Sequence, residues 1–99
     1  MKQTIELSEL SQAKWIKNGA DWYWPSPDTQ TTHIHLRGST HGNTLTIQTI
    51  SIKVNDQYSG TIYDKDQPNN NNYGFGILDK LNAADATFFR RGLNAIGVV

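Results

Sequence analysis

Thr31-Thr32-His33-Ile34-His35-Leu36-Arg37 alternates polar and apolar residues along its length. In an extended chain successive side chains point to opposite faces, so Thr31, His33, His35 and Arg37 share one face while Ile34 and Leu36 share the other. One face is core, and the other is polar and cationic. The stretch 31–42 holds all three histidines of the chain. The small polar residues and glycines of Gly38-Ser39-Thr40-His41-Gly42 predict a hairpin turn directly after it.

Downstream, Asn43 to Val54 is the longest strand candidate. Its apolar residues occupy odd positions at Leu45 and Ile47 but even ones at Ile50, Ile52 and Val54. Such a change of phase requires a bulge near Gln48-Thr49, or a strand that passes from one covering to another. Asn55-Asp56 is a turn pair, and Gln57 to Tyr63 returns as a strand with Tyr58, Gly60 and Ile62 on one face.

Upstream, Gln3 to Leu7 alternates as a short strand. Ser8 caps a predicted helix over Glu9 to Asn18, where Leu10, Ala13 and Ile16 have helical spacing, Lys14 and Lys17 sit late in the segment, and Asn18-Gly19 supplies the stop. Ala20 to Pro27 places Trp22 and Trp24 on one face of an extended segment, and its prolines favour an edge or a loop.

Toward the C-terminus, Asp64 to Asn72 has no apolar residue and reads as a surface loop. Its Asp64-x-Asp66 start does not complete a calcium loop, because Pro68 takes the next ligand position and the required glycine and bidentate Glu are missing. Tyr73 to Leu78 is a glycine-punctuated apolar segment without a phosphate-loop pattern. Asn82 caps a predicted helix over Ala83 to Arg91, with Leu81, Ala84 and Phe88 facing the core and Gly92 as its stop. Leu93 to Val99 then supplies a last strand or a core-docked tail. The sum is an α+β fold: a small antiparallel sheet of three to five strands with two helices, in the order β-α-β-β-β-α-β, with residues 1–99 as a single compact domain.

Ninety-nine residues can bury one core without staples. Nine basic residues balance nine acidic ones, which removes the general basic charge that phosphate-backbone binding draws on. With no cysteine there is neither a disulfide nor a thiolate nucleophile, in keeping with a reducing compartment. The N-terminus lacks the apolar region of a signal peptide, and no apolar run has the length of a membrane span. The expectation is a soluble cytoplasmic protein with no membrane partner, and a chain that starts at Met reads as a complete small gene product.

Three chemistries compete for the His stretch. A metal-independent ribonuclease needs a base for the 2′-hydroxyl, an acid for the leaving oxygen and a cation for the phosphate; His33, His35 and Arg37 form such a set, with Lys53, Arg90 or Arg91 as added phosphate contacts. A zinc site would take His33, His35 and His41 with water, although the stretch itself contains no carboxylate to orient the imidazoles and only Asp21 or Asp28 stands near in sequence. Ser26, Ser39, Ser51 and Ser59 lie in no nucleophile-elbow frame.

The preferred reading is a small protein-binding or inhibitory module of immunity-protein or anti-defence type, an analogy of size and composition. It docks onto a larger partner protein through Trp22, Tyr23, Trp24, His33, His35 and Arg37, needs no cofactor or metal, and is an enzyme only under the ribonuclease alternative.

Overall fold

Six strands and three helices make up the computed structural model, which describes residues 3–24, 31–67 and 73–98. They run in the order β1 (Thr4–Glu6), α1 (Leu7–Gln12), β2 (Ile16–Asn18), β3 (Asp21–Trp24), β4 (His33–His41), β5 (Thr44–Val54), β6 (Gln57–Asp64), α2 (Tyr73–Lys80) and α3 (Ala83–Ala95). The α+β class matches the expectation, while the order of elements is richer by a strand pair and a helix and lacks the C-terminal strand.

The sheet is antiparallel throughout, in the order β1-β5-β4-β3-β2, with β6 also on β5. β5 is its spine: β4 lies along one edge, while β1 and β6 share the other. The seam between them falls at the middle of β5, where the Ile47 N–H donates to the Gln3 carbonyl and the Lys65 N–H donates to that of Gln48, both at 2.9 Å.

Tight turns set the register. Two residues, Gly42 and Asn43, join β4 to β5, with Gly42 at φ 62°. Asn55 and Asp56 join β5 to β6 with φ of 54° and 63°, the conformation of a type I′ hairpin, which Asn and Asp tolerate best after glycine. The turn expected at 38–42 is therefore displaced to the end of that stretch, and β4 runs straight through Gly38. That glycine serves a bulge instead: the register passes from Arg37 opposite Thr49 to Gly38 opposite Ile47, leaving Gln48 as the extra residue. The phase change in the sequence is this bulge, and it lets Leu45, Ile47, Ile50 and Ile52 all reach full burial.

The first helix is shorter than its apolar spacing suggests. Lys14 adopts φ 72°, the Trp15 N–H donates to the Leu10 carbonyl (3.0 Å) and the Lys14 N–H to that of Ser11 (3.1 Å), so a Schellman reversal ends α1. It brings Leu10 and Trp15 together in the core, at 0% and 3% exposure, and releases Ile16 into β2. The second predicted helix is longer than expected. α3 continues through Gly92, and the stop is Gly97 at φ 80°, with the Val98 N–H on the Leu93 carbonyl and the Gly97 N–H on that of Asn94. Residues 93–95 are thus helix, not strand, and the apolar segment from Tyr73 belongs to α2.

One contiguous core results. Ile5, Trp22, Ile34, Leu36, Leu45, Ile47, Ile50 and Ile52 from the sheet meet Leu10 of α1, Leu78 of α2, and Phe89, Leu93 and the following Ile96 of α3. All three helices therefore cover the same sheet face. Among the described residues no helix is long and apolar enough to cross a membrane.

Candidate functional site on the outer sheet face

Cross-strand partners share a face, so the pairing registers lay out the side of the sheet opposite the helices. One row runs Ile16, Tyr23, His35, Ser51, Thr61 across β2 to β6. A second runs His33, Lys53, Tyr58, and a third Arg37, Thr49, Asp64. Asp21, opposite Asn18, reaches Arg37 from β3.

Within this face the Tyr23 ring lies flat on His35, with centroids 4.7 Å apart and planes 5° from parallel, and meets His33 edge-on at 5.1 Å. The Asp21 carboxylate holds the other side of the cluster. Its Oδ2 lies 2.9 Å from His35 Nε2, and its Oδ1 lies 3.6 Å from Arg37 Nε. A carboxylate accepts, so Nε2 carries the proton and Nδ1 is the basic nitrogen of the neutral His35 ring. Asp21 thus supplies the orienting group that the His stretch lacks in itself. Burial, followed by the neighbouring Asp21 charge, raises the Tyr23 phenol above its usual pKa, with Arg37 acting in the opposite sense.

His33 has the expected side but not the expected depth. It is only 3% exposed, and its Nδ1 is buried without a hydrogen-bond partner. Burial depresses its pKa, and the Lys53 ammonium and His35 add to that against the opposing Asp56 carboxylate. An imidazole in that position does not present itself to a bulky substrate.

The remaining candidates divide. Trp22 and Trp24 point to the core face: Trp22 is 5% exposed, and half-buried Trp24 donates from Nε1 to the Phe88 carbonyl at 3.1 Å. Their work is to hold α3 on the sheet, because large apolar rings are most stable where they are fully packed. Tyr23, His35 and Arg37 remain on the outer face. Lys53 joins them, while Arg90, ion-paired with Asp79, and Arg91 belong to α3 beyond the sheet. His41 stands six residues beyond His35, roughly 20 Å away at about 3.3 Å per residue, so the three histidines do not converge. No metal-holding group of three or more His, Cys, Asp or Glu occurs among the described residues. Ser26, Asp28, the prolines at 25, 27 and 68, and the asparagine run at 69–72 lie outside the described residues.

Two outer-face residues escape a reading by periodicity. Ile16 has helical spacing with Leu10 and Ala13 but follows the Schellman reversal. Tyr58 alternates with Gly60 and Ile62, yet register shifts on either side of the Ser51–Ile52 pair turn it to the outside beside Lys53. The model of no known protein family matches this chain, and neither the curated proteins nor the solved structures give a significant match.

Proposed function

We propose that this chain is a small protein-binding module of inhibitory or immunity type, acting in a reducing compartment such as the cytoplasm, and that it docks onto a larger protein through the outer sheet face. One observation carries the reading. Among the described residues the exposed large hydrophobics are Ile16 at 42% and Tyr58 at 65%, and both lie on that face. They stand at its two ends, four strand spacings or about 19 Å apart, with the stacked Tyr23 and His35 between them and the 64% exposed Arg37 side chain alongside. Tyr and Arg are the side chains that most often anchor protein interfaces, and a rigid sheet holds them in place before contact.

The reading is tested by affinity capture from the source cell with the parent chain and with Tyr58→Ala, Ile16→Ser and Asp85→Ala variants. The expected result is one stoichiometric protein partner, lost with Tyr58→Ala or Ile16→Ser by more than about 1 kcal/mol of affinity and retained with Asp85→Ala on α3. Retention of that partner by both outer-face variants, or the absence of any partner, overturns it.

A further inference from the structure

We propose that the outer face also carries a catalytic site, in which His35 is the general base and Asp21 its positioning residue for cleavage of single-stranded RNA. This goes beyond the docking reading and does not depend on it, since cleavage requires no protein partner.

Three features of the face support it. The first is the Asp21–His35 pair, whose 2.9 Å contact orients a ring that is 12% exposed; with Nε2 donating to the carboxylate, Nδ1 is the nitrogen left to take a proton. The second is Arg37, a same-face neighbour two residues along β4, about 7 Å from His35. Its Nε faces Asp21 at 3.6 Å, beyond hydrogen-bond distance, and most of its side chain is exposed, so its planar fork is open to a phosphate. The third is Tyr58, an exposed aromatic surface on which an unpaired base can stack, paired across the strands with Lys53 for the adjoining backbone. A ring with an orienting carboxylate, a phosphate fork and a stacking platform are the groups that cleavage of an unpaired ribonucleotide through its own 2′-hydroxyl draws on.

In the reaction the 2′-hydroxyl gives its proton to His35 Nδ1, and the 2′-oxygen bonds to the adjacent phosphorus. The phosphorus bond to the 5′-oxygen of the next nucleotide breaks, and that oxygen takes a proton from water. The hydroxide formed is neutralised by the proton held on His35, which restores the base. The products are a 2′,3′-cyclic phosphate and a free 5′-hydroxyl, while Arg37 balances the charge that builds on the phosphate oxygens. The buried His33 takes no part in this; it supports the Tyr23 ring edge-on.

The experiment uses the purified chain with a short fluorescent single-stranded RNA and mass analysis of the products. The expected result is cleavage that leaves cyclic-phosphate ends and is abolished by a single 2′-deoxy substitution at the cleaved nucleotide. His35→Gln lowers the rate by about 10² to 10⁴-fold. Asp21→Asn lowers kcat by at least about tenfold with KM little changed, and Asp21→Glu restores part of the loss, a split that a purely structural carboxylate would not give. Circular dichroism of each variant, with His35→Asn as a second replacement, separates lost chemistry from lost fold. Intact RNA with the folded parent chain, cleavage undiminished in both folded His35 variants, or equal cleavage of the 2′-deoxy substrate overturns the proposal. None of these outcomes bears on partner capture by Ile16 and Tyr58.

Discussion

Gly92 of α3 lies directly against the indole of Trp24, so close that a Cβ on the glycine would stand 2.4 Å from the ring Cδ1 and Nε1. The contact lets the helix backbone approach the sheet, and the neighbouring hydrogen bonds secure it: Trp24 Nε1 donates to the Phe88 carbonyl and Trp15 Nε1 to that of Gly92 itself. Gly92→Ala gains up to about 1 kcal/mol of helix propensity but forces a ring that is already hydrogen-bonded and packed to move. Overpacking wins by this comparison, and the variant should lose about 1–2 kcal/mol overall, read as a lower midpoint in a urea titration followed by tryptophan fluorescence.

Gly38→Ala should be more severe. Its Cβ would lie 2.2 Å from the Thr46 carbonyl oxygen, a backbone atom fixed in the sheet, with no flexible side chain to yield. A loss of roughly 3 kcal/mol is expected, with amide shifts spreading over residues on both sides of the bulge in β4 and β5. A variant as stable as the parent chain would show that the bulge relaxes freely.

Acid should weaken the fold through His33. Its folded pKa lies below the ordinary 6.5, chiefly because it is buried and then because of Lys53. The unfolded chain therefore binds the extra proton first. The stability conferred by keeping this ring neutral is complete above the unfolded value and is lost as pH falls through about 6.5 toward the folded one. The melting temperature should decline between pH 7.5 and 5, and His33→Gln should flatten the decline. Lys53→Met removes a repelling charge and so raises the folded His33 pKa toward its unfolded value; the decline should become smaller and end at a higher pH.

Asn82→Ala should remove about 1 kcal/mol. The Asn82 side chain accepts the Asp85 N–H at 2.9 Å and donates to its carboxylate, closing the first turn of α3. Helical circular dichroism during thermal unfolding measures it, and Asn82→Ser should recover most of the loss.

Much of the sheet is legible in the residues themselves. The alternation at 33–37 gives β4, the shift from Leu45/Ile47 to Ile50/Ile52 gives the bulge, and Asn55-Asp56 gives a hairpin turn. What misleads is the dual use of particular residues. Lys14 adopts a left-handed conformation usually left to glycine, so α1 ends without a glycine to mark it. Gly92 looks like a helix stop but is there for close approach to Trp24. For the site, alternation states which side of a strand a histidine occupies, not how deep it lies, so His33 and His35 look equivalent in sequence while one is buried and the other is paired with Asp21. Pairing over fourteen residues between β3 and β4 becomes evident only once Tyr23 is set opposite His35.

The two indole-to-carbonyl bonds span 77 and 64 residues, whereas β3 to β6 form a meander of near neighbours in the chain. Short loops close readily and distant ones slowly, so the meander has the means to assemble first and α3 to dock afterwards. Damage at the Trp15, Trp24 and Gly92 junction should then leave the folding rate nearly unchanged and accelerate unfolding, making this corner the timekeeper of how long a folded molecule survives.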